Sequence, residues 1–246
     1  MFKWVLSACA VILGFPHLSV ADVLQHRGQE FFVHAVNPQA EQLELFWQDS
    51  SGQRFGSFRR LRDTLATQRR TLKFAMNAGI FGEDFAPLGL HIENGQLLRP
   101  LNLGKGGRGN FYLKPNGVFY VLDKKPAIVD ARSYPKLKVK PTIATQSGPA
   151  LLLGGVIHPA FLEESSNRHY RNGVGVTREG KVVFAISQSL VTFHEFATLF
   201  RDVLGCNDAL YLDGALSAVY APDHGQRFLG GDFVGILAVT AEMKEQ

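Results

Sequence analysis

Five short apolar segments, each broken by a Gly-, Asn- or Pro-containing turn, constrain this chain more than any other feature. Residues 30–36 and 42–48 flank Asn37-Pro38, residues 89–98 fold back at Asn94-Gly95, and residues 110–122 turn at Pro115-Asn116-Gly117. Residues 150–157 turn at Gly154-Gly155 and residues 174–187 at Arg178-Glu179-Gly180. Glycine and asparagine reach the positive-φ conformations that tight hairpin connections need, and the flanking runs are rich in β-branched and aromatic residues. A largely antiparallel sheet protein is expected. Two segments read as helices instead. Ser57 can cap a helix whose apolar spacing (Phe58, Leu61, Leu65) carries to about Arg69. Thr192 and Glu195 form a capping-box pattern ahead of Phe193, Phe196, Phe200 and Leu204, and Gly205 ends that stripe. The fold class expected is therefore α+β, a largely antiparallel β-sheet with two principal helices in a single domain.

The 246 residues, 46% hydrophobic and 20% charged, are enough to bury a sizeable core. No linker rich in Pro, Ser or charge divides them, and no repeat of fixed period shows. Residues 1–21 read as a secretory signal peptide: Lys3 is a positive start, residues 4–13 are an apolar run, and Ser19-Val20-Ala21 is a small-x-small cleavage signal. The domain is then residues 22–246, periplasmic or secreted. Leu6-Ser7-Ala8-Cys9 has the local look of a lipoprotein signal but lies too early to leave an apolar region before it. An uncleaved N-terminal anchor is the alternative. Beyond the signal no apolar stretch is long enough to cross a bilayer, so no stable membrane insertion is expected after its removal.

Removing the signal leaves Cys206 as the one cysteine, so an intramolecular disulfide is excluded and the core must supply the stability. Between a helix and a strand, Cys206 reads as a buried structural thiol rather than a nucleophile. The absence of paired cysteines also argues against a cysteine-based zinc site. Net charge is +4, and loss of Lys3 lowers it by one. The densest basic groups are Arg59, Arg60, Arg62, Arg69 and Arg70 along the first helix, and Lys136, Lys138 and Lys140 in a Pro-bounded stretch. Both read as solvated faces, so no nucleic-acid partner is expected.

Two apolar runs deliver polar side chains to strand ends beside glycines. Lys73-Phe74-Ala75-Met76 ends at Asn77, followed by Ala78-Gly79, and Leu210-Tyr211-Leu212 ends at Asp213-Gly214, followed by Ala215-Leu216-Ser217. Each is ordinary turn chemistry, and each is also a place where backbone and substrate can approach closely. The Gly-rich segment 103–110 is neither a P-loop nor a dinucleotide fingerprint; it reads as a flexible loop bordering a substrate site or as an inert surface loop.

Taken in order, Asn77-Ala78-Gly79-Ile80-Phe81, Pro87-Leu88-Gly89-Leu90, residues 111–119, Gln146-Ser147-Gly148-Pro149, Arg171-Asn172-Gly173-Val174-Gly175-Val176 and Leu212-Asp213-Gly214 resemble the phosphodiester glycosidase domain family. The likeness is to bacterial members and, more distantly, to the lysosomal enzymes that uncover mannose 6-phosphate. It runs from about Phe74 to Val239 and rests on several spaced motifs. The resemblance implies hydrolysis of a sugar-1-phosphodiester at the glycosidic bond, releasing free sugar and a phosphomonoester. Phosphate is already a good leaving group, so the harder tasks are binding the anion and stabilising an oxocarbenium-like centre. One carboxylate can suffice, and Asp213 is the candidate for nucleophile, general base or electrostatic stabiliser. Arg171, with its planar fork, is the candidate phosphate ligand and Arg168 a second; a surface salt bridge is the alternative for each. Asn77, Gln146, Ser147, Asn172 and Ser217 would supply hydrogen bonds to sugar or phosphate, and Gly79, Gly148 and Gly214 would let backbone amides come near.

One departure stands out: close relatives of the lysosomal enzymes carry Asp-Gly-Gly-Gly-Ser where this chain reads Asp213-Gly214-Ala215-Leu216-Ser217. Either the pocket differs or this branch binds without turnover. His194-Glu195 lacks the second histidine of a zinc protease motif, and His158, His169 and His224 lie near the matching segments. Ser217 lacks a Gly-x-Ser-x-Gly context. No cofactor is implied; Asp213 and Asp232 carry oxygen ligands suited to a divalent metal, though nothing in the spacing demands one. Two readings follow: a sugar-phosphodiester hydrolase of the cell envelope, or a non-catalytic glycan-binding or envelope-interaction protein on the same scaffold.

Overall fold

The computed structural model describes residues 21–243, and the expected signal peptide, apart from Ala21, lies outside the described residues. Three antiparallel sheets carry the chain. The first has seven strands in the order β1 (Ala21–His26), β2 (Gln29–Val36), β13 (Val182–Ser187), β12 (Asn172–Thr177), β14 (Cys206–Tyr211), β10 (Ala150–Leu153) and β11 (Val156–Ile157). A second has five, β16 (Gln226–Arg227), β15 (Val219–Ala221), β4 (Arg70–Asn77), β17 (Ile236–Glu242) and β3 (Gln42–Phe46). The third runs β6 (Gln96–Arg99), β5 (His91–Glu93), β9 (Ile143–Ser147), β7 (Gly117–Leu122) and β8 (Lys125–Asp130).

All three sheets turn a face onto one apolar core, to which Phe32, Phe74, Met76, Phe119, Phe184, Leu210 and Leu212 contribute. The first two sheets are buried on their other faces as well, which is why their strands read as continuous apolar runs. On β13, Val182 and Phe184 enter the shared core while Val183 and Ala185 pack toward α3 (Phe193–Thr198). On β4, Lys73 is the unpaired residue of a bulge opposite Val239 and Thr240. The bulge resets the side-chain alternation, so Leu72 and Ala75 face α1 (Phe58–Thr67) while Phe74 and Met76 face the core.

The helices start as expected. Ser57 Oγ accepts from the Arg60 amide at 3.2 Å, and Thr192 with Glu195 closes a reciprocal capping box, each worth about 1 kcal/mol. α1 stops at Thr67, before the left-handed Arg69 (φ 58°), and α3 passes into a π-helical turn over Leu199–Val203 that ends at Gly205 (φ 64°). A third, one-turn helix, α2 (Tyr134–Leu137), is additional.

Three of the five expected hairpins form, at Asn94-Gly95, Gly154-Gly155 and around Gly180. The other two need correction. β2 pairs with β1 and β13, whereas β3 pairs with β17, so Asn37-Pro38 joins two sheets around the shared core rather than two paired strands. Around Pro115 the chain enters β7 from a 3₁₀ turn at Asn110–Tyr112, and the real hairpin is β7–β8. Its turn is Asp123-Lys124, both at positive φ (49° and 60°) without any glycine, which is why turn chemistry did not announce it.

Candidate active site

The ends of four strands from all three sheets meet at one place. Past the end of β4, the Ala78 amide donates to Gly235 O at 2.8 Å, and the Asp213 amide, past the end of β14, donates to Ala78 O at 3.1 Å. The Leu212 amide donates to Asn172 O at the start of β12, and the Tyr211 amide to Pro149 O beyond β9. Ile80 N approaches Ser147 Oγ at 3.4 Å. Gly79 is required by that approach: a Cβ there would stand 2.6 Å from Gln146 O. Segments as far apart in sequence as Ala78 and Gly235 are thereby brought together.

Buried amides hold this junction closed. Asn77 Nδ2 donates to Asp213 O at 2.7 Å, while Asn77 Oδ1 accepts from Asn172 Nδ2 at 2.8 Å and from the Ala218 amide at 3.0 Å. Asn172 Nδ2 also reaches Asn77 O, and its Oδ1 is buried without a partner. Gln146 Oε1 accepts from the Leu90 and Asn102 amides, and its Nε2 donates to Asn102 O at 2.7 Å. Gln146 thus anchors the start of the Gly-rich loop, which is exposed over residues 104–110. Ser147 is fully buried, and Gly148 packs against Asn116, which a Cβ would meet at 3.0 Å. These residues grip backbone; their hydrogen-bonding capacity is largely spent within the protein.

Arg171 is only 1% exposed. Its Nε donates to Val191 O at 2.9 Å and its Nη2 to Asn167 O and Oδ1 at 3.0 and 2.9 Å. The guanidinium lies 3.5 Å over the Phe193 ring and 5.8 Å from that of Tyr211. Burial pulls its pKa down to about 10, so it remains a cation at neutral pH. Burial in turn pushes the Tyr211 phenol up, against the pull of Arg171, and the Asp213 carboxylate pushes it up further. Gly214 must be glycine here, because a Cβ would sit 1.9 Å from the Tyr211 hydroxyl. Arg171 stacked on Phe193, Tyr211 edge-on to that ring, and Gly214 against the Tyr211 hydroxyl therefore form one contiguous row. Arg168 lies apart on the surface, paired with Glu195 Oε1 at 2.7 Å. Burial alone would raise the Glu195 carboxyl, but the Thr192 amide and Arg168 together hold it below the usual range.

Beyond Asp213 the chain makes a 3₁₀ turn, Gly214–Leu216, in which Ser217 Oγ donates to Gly214 O at 3.0 Å. A cavity of about 420 Å³ opens on this turn, walled by Gly214, Leu216, Ser217, Tyr170, Leu190, Phe228 and Phe233 among others. Its size suits a small-molecule site.

Residues 70–228 match the phosphodiester glycosidase family. The chain belongs to that family. It is 40% identical over 187 residues to the uncharacterized protein YigE of Escherichia coli (strain K12), covering 76% of this chain and 72% of that one. The fold is similar to the zebrafish N-acetylglucosamine-1-phosphodiester alpha-N-acetylglucosaminidase catalytic domain auto-inhibited by its pro-peptide, with TM-score 0.62, 14% identity, and 91% and 84% of the two chains covered. It is also similar to a Burkholderia pseudomallei K96243 protein assigned as exported, with TM-score 0.53, 12% identity, and 86% and 74% covered.

Among the remaining candidates of this family member, His158 is used structurally: Nε2 faces Lys114 O at 2.9 Å and Nδ1 accepts from the Ala160 amide at 3.1 Å. His169 joins Val191 in a backbone bridge and lines the cavity, while His224 lies against His34. Asp232 is engaged by Arg54 at 2.7 Å, and among the described residues no group of three His, Cys, Asp or Glu side chains is placed to hold a metal ion. Among the described residues no helix is long and apolar enough to cross a membrane. Sequence reasoning missed Tyr211 and the apolar cavity wall. Strand alternation would have found the first, since Tyr211 and Asp213 are two residues apart at one strand end and share a face. The wall comes from residues 170, 190, 216 and 228, which no local period connects.

Proposed function

We propose that this protein hydrolyses the glycosidic bond of a sugar-1-phosphodiester, at the turn that carries Asp213. Water adds to C1 of the sugar, the C1–O bond breaks, and the phosphomonoester leaves with the bonding electron pair. Asp213 acts at C1, taking the proton of the attacking water or stabilising the positive charge that develops there. Arg171 works from below: a buried cation stacked on Phe193 and next to Tyr211 raises the local potential where the phosphate sits, while amides of the 214–217 turn approach its oxygens. Asn77, Asn172, Gln146 and Ser147 position the turn, and Gly79 and Gly148 permit the close backbone packing beneath it. Ser217 lies on the cavity wall, where it contacts the outer part of the substrate, and Arg168, held on the surface by Glu195, lies outside that wall. Residues 1–21 direct the domain, residues 22–246, to the periplasm or the exterior.

The observation that carries this reading is the convergence of β4, β9, β12 and β14 on Asp213 beside an open cavity, in a chain of the phosphodiester glycosidase family. Release of free sugar from a panel of sugar-1-phosphodiesters, compared between the native protein and Asp213→Asn, tests it. Turnover abolished by the substitution is the expected result; unchanged turnover would move the chemistry elsewhere.

A further inference from the structure

The cavity at the Asp213 turn has an unusual wall. Tyr170, Leu190, Leu216 and Phe228 are 53%, 50%, 36% and 54% exposed, yet all four border the same space, with Phe233 buried behind them. Isolated exposed apolar residues are common, whereas several ringing one concavity mark a binding surface. The lining carries no carboxylate, lysine or arginine. Apart from the His169 and Tyr170 side chains, its one polar side-chain group is the Ser217 hydroxyl, which is already donated to Gly214 O. A nucleoside or a second sugar, each with many groups to pair, would be desolvated here against few side-chain partners. An alkyl chain would not.

We infer that this cavity takes the aliphatic alcohol of the phosphodiester, so that the substrate is a sugar joined through phosphate to a lipid-like chain. The inference rests on the hydrolase reading proposed above, because Gly214 and Ser217 belong both to the cavity wall and to the turn carrying Asp213. Hydrolysis would then give free sugar and an alkyl phosphate, with the water oxygen on C1 and its proton balance met by the phosphomonoester. Leu216 is central: its four-carbon side chain, partly exposed, stands on the wall at the turn that carries Asp213 and makes that side of the cavity apolar. A space of about 420 Å³ accepts the phosphate-proximal part of such a chain.

Equilibrium binding of butyl, octyl and dodecyl phosphate, each below its micellar concentration, tests the inference without requiring turnover, with uridine monophosphate as the polar control. Affinity is expected to rise with chain length, by up to about fourfold per buried methylene until the cavity is full. Leu190→Ser combined with Phe228→Ser should flatten that rise at least tenfold for dodecyl phosphate; both side chains are half exposed, so the fold should tolerate the change. Equal affinity for all three alkyl phosphates, tighter binding of uridine monophosphate, or an unchanged rise in the double variant would overturn it. Sugar release measured on the same samples separates the two claims: hydrolysis of polar phosphodiesters without a chain-length effect sinks the lipid assignment alone. A chain-length effect with no hydrolysis of any phosphodiester, alkyl-linked ones included, retains the cavity's ligand and removes the hydrolase.

Discussion

The buried clasp behind the Asp213 turn and the cavity in front of it are built on opposite principles. Behind, Asn77, Asn172 and Gln146 spend most of their amide groups on backbone of other segments and on one another, standing in for part of a missing strand ladder. In front, the wall is apolar, partly exposed and sparing in hydrogen-bonding groups. The clasp is built from residues of the family motifs, and its polar groups hold backbone, whereas of the cavity wall only Gly214 belongs to those motifs. A polar residue in a motif is therefore not by that fact a substrate contact.

Substitutions should divide along this line. Asp213→Asn is expected to lower kcat by about 10²–10⁴ while leaving the urea midpoint unchanged; a parallel loss of stability would place Asp213 with the clasp. Asn77→Ala should do the reverse. It strands the Ala218 amide and the Asp213 carbonyl in a dry interior and leaves Asn172 Nδ2 only the backbone oxygen of residue 77, at a cost of about 3 kcal/mol or more in urea unfolding.

Acid should weaken the shared core in front of neither. His34 is buried, stacked on Phe74 at 4.2 Å, and burial holds its pKa down to about 4, with His224 adding to the effect. Its neutral form is favoured by folding, so the stability it preserves is complete above its ordinary pKa of 6.5 and falls as pH drops toward about 4. The loss over that window is up to about 3 kcal/mol. Unfolding free energies measured across pH 4–7 should show it, and His34→Phe should flatten that part of the profile.

Gly214→Ala drives a methyl group into the Tyr211 hydroxyl and should cost about 1–3 kcal/mol, partly recovered in Tyr211→Phe/Gly214→Ala. Absence of any recovery would disconnect Tyr211 from the turn. The smallest effect is expected at Arg168→Ala, whose exposed pair with Glu195 contributes less than about 1 kcal/mol; a thermal melt that moved by many degrees would show that Arg168 braces α3.

The sheet content and both main helices were legible from turn chemistry, alternation and caps. The lost hairpins show why the rest was not. Asn37-Pro38 is good turn chemistry whichever sheet receives the next strand, and only the shared core, with Phe32 and Val36 on one side and Leu43 and Leu45 on the other, decides that β2 and β3 part. Asp123-Lys124 turns at positive φ without glycine because the β7 and β8 pairing on either side holds it there. At the site, Asp213 and the glycines were visible as strand-end punctuation. Arg171 was read as a fork open to phosphate, but whether a guanidinium faces solvent or a phenyl ring depends on Phe193, 22 positions on, and on the carbonyls of Asn167 and Val191. Spacing along the chain does not encode that distance in space.

The most direct test of the hydrolase reading is a product assay: free sugar released from sugar-1-phosphodiesters with nucleoside, sugar and alkyl alcohols, by the purified protein and by Asp213→Asn at matched fold. Release by the native protein, fastest for the alkyl-linked substrate and lost in the variant, is the result expected. Sugar release that survives in Asp213→Asn, or that is absent for every substrate while sugar phosphates still bind, would contradict it.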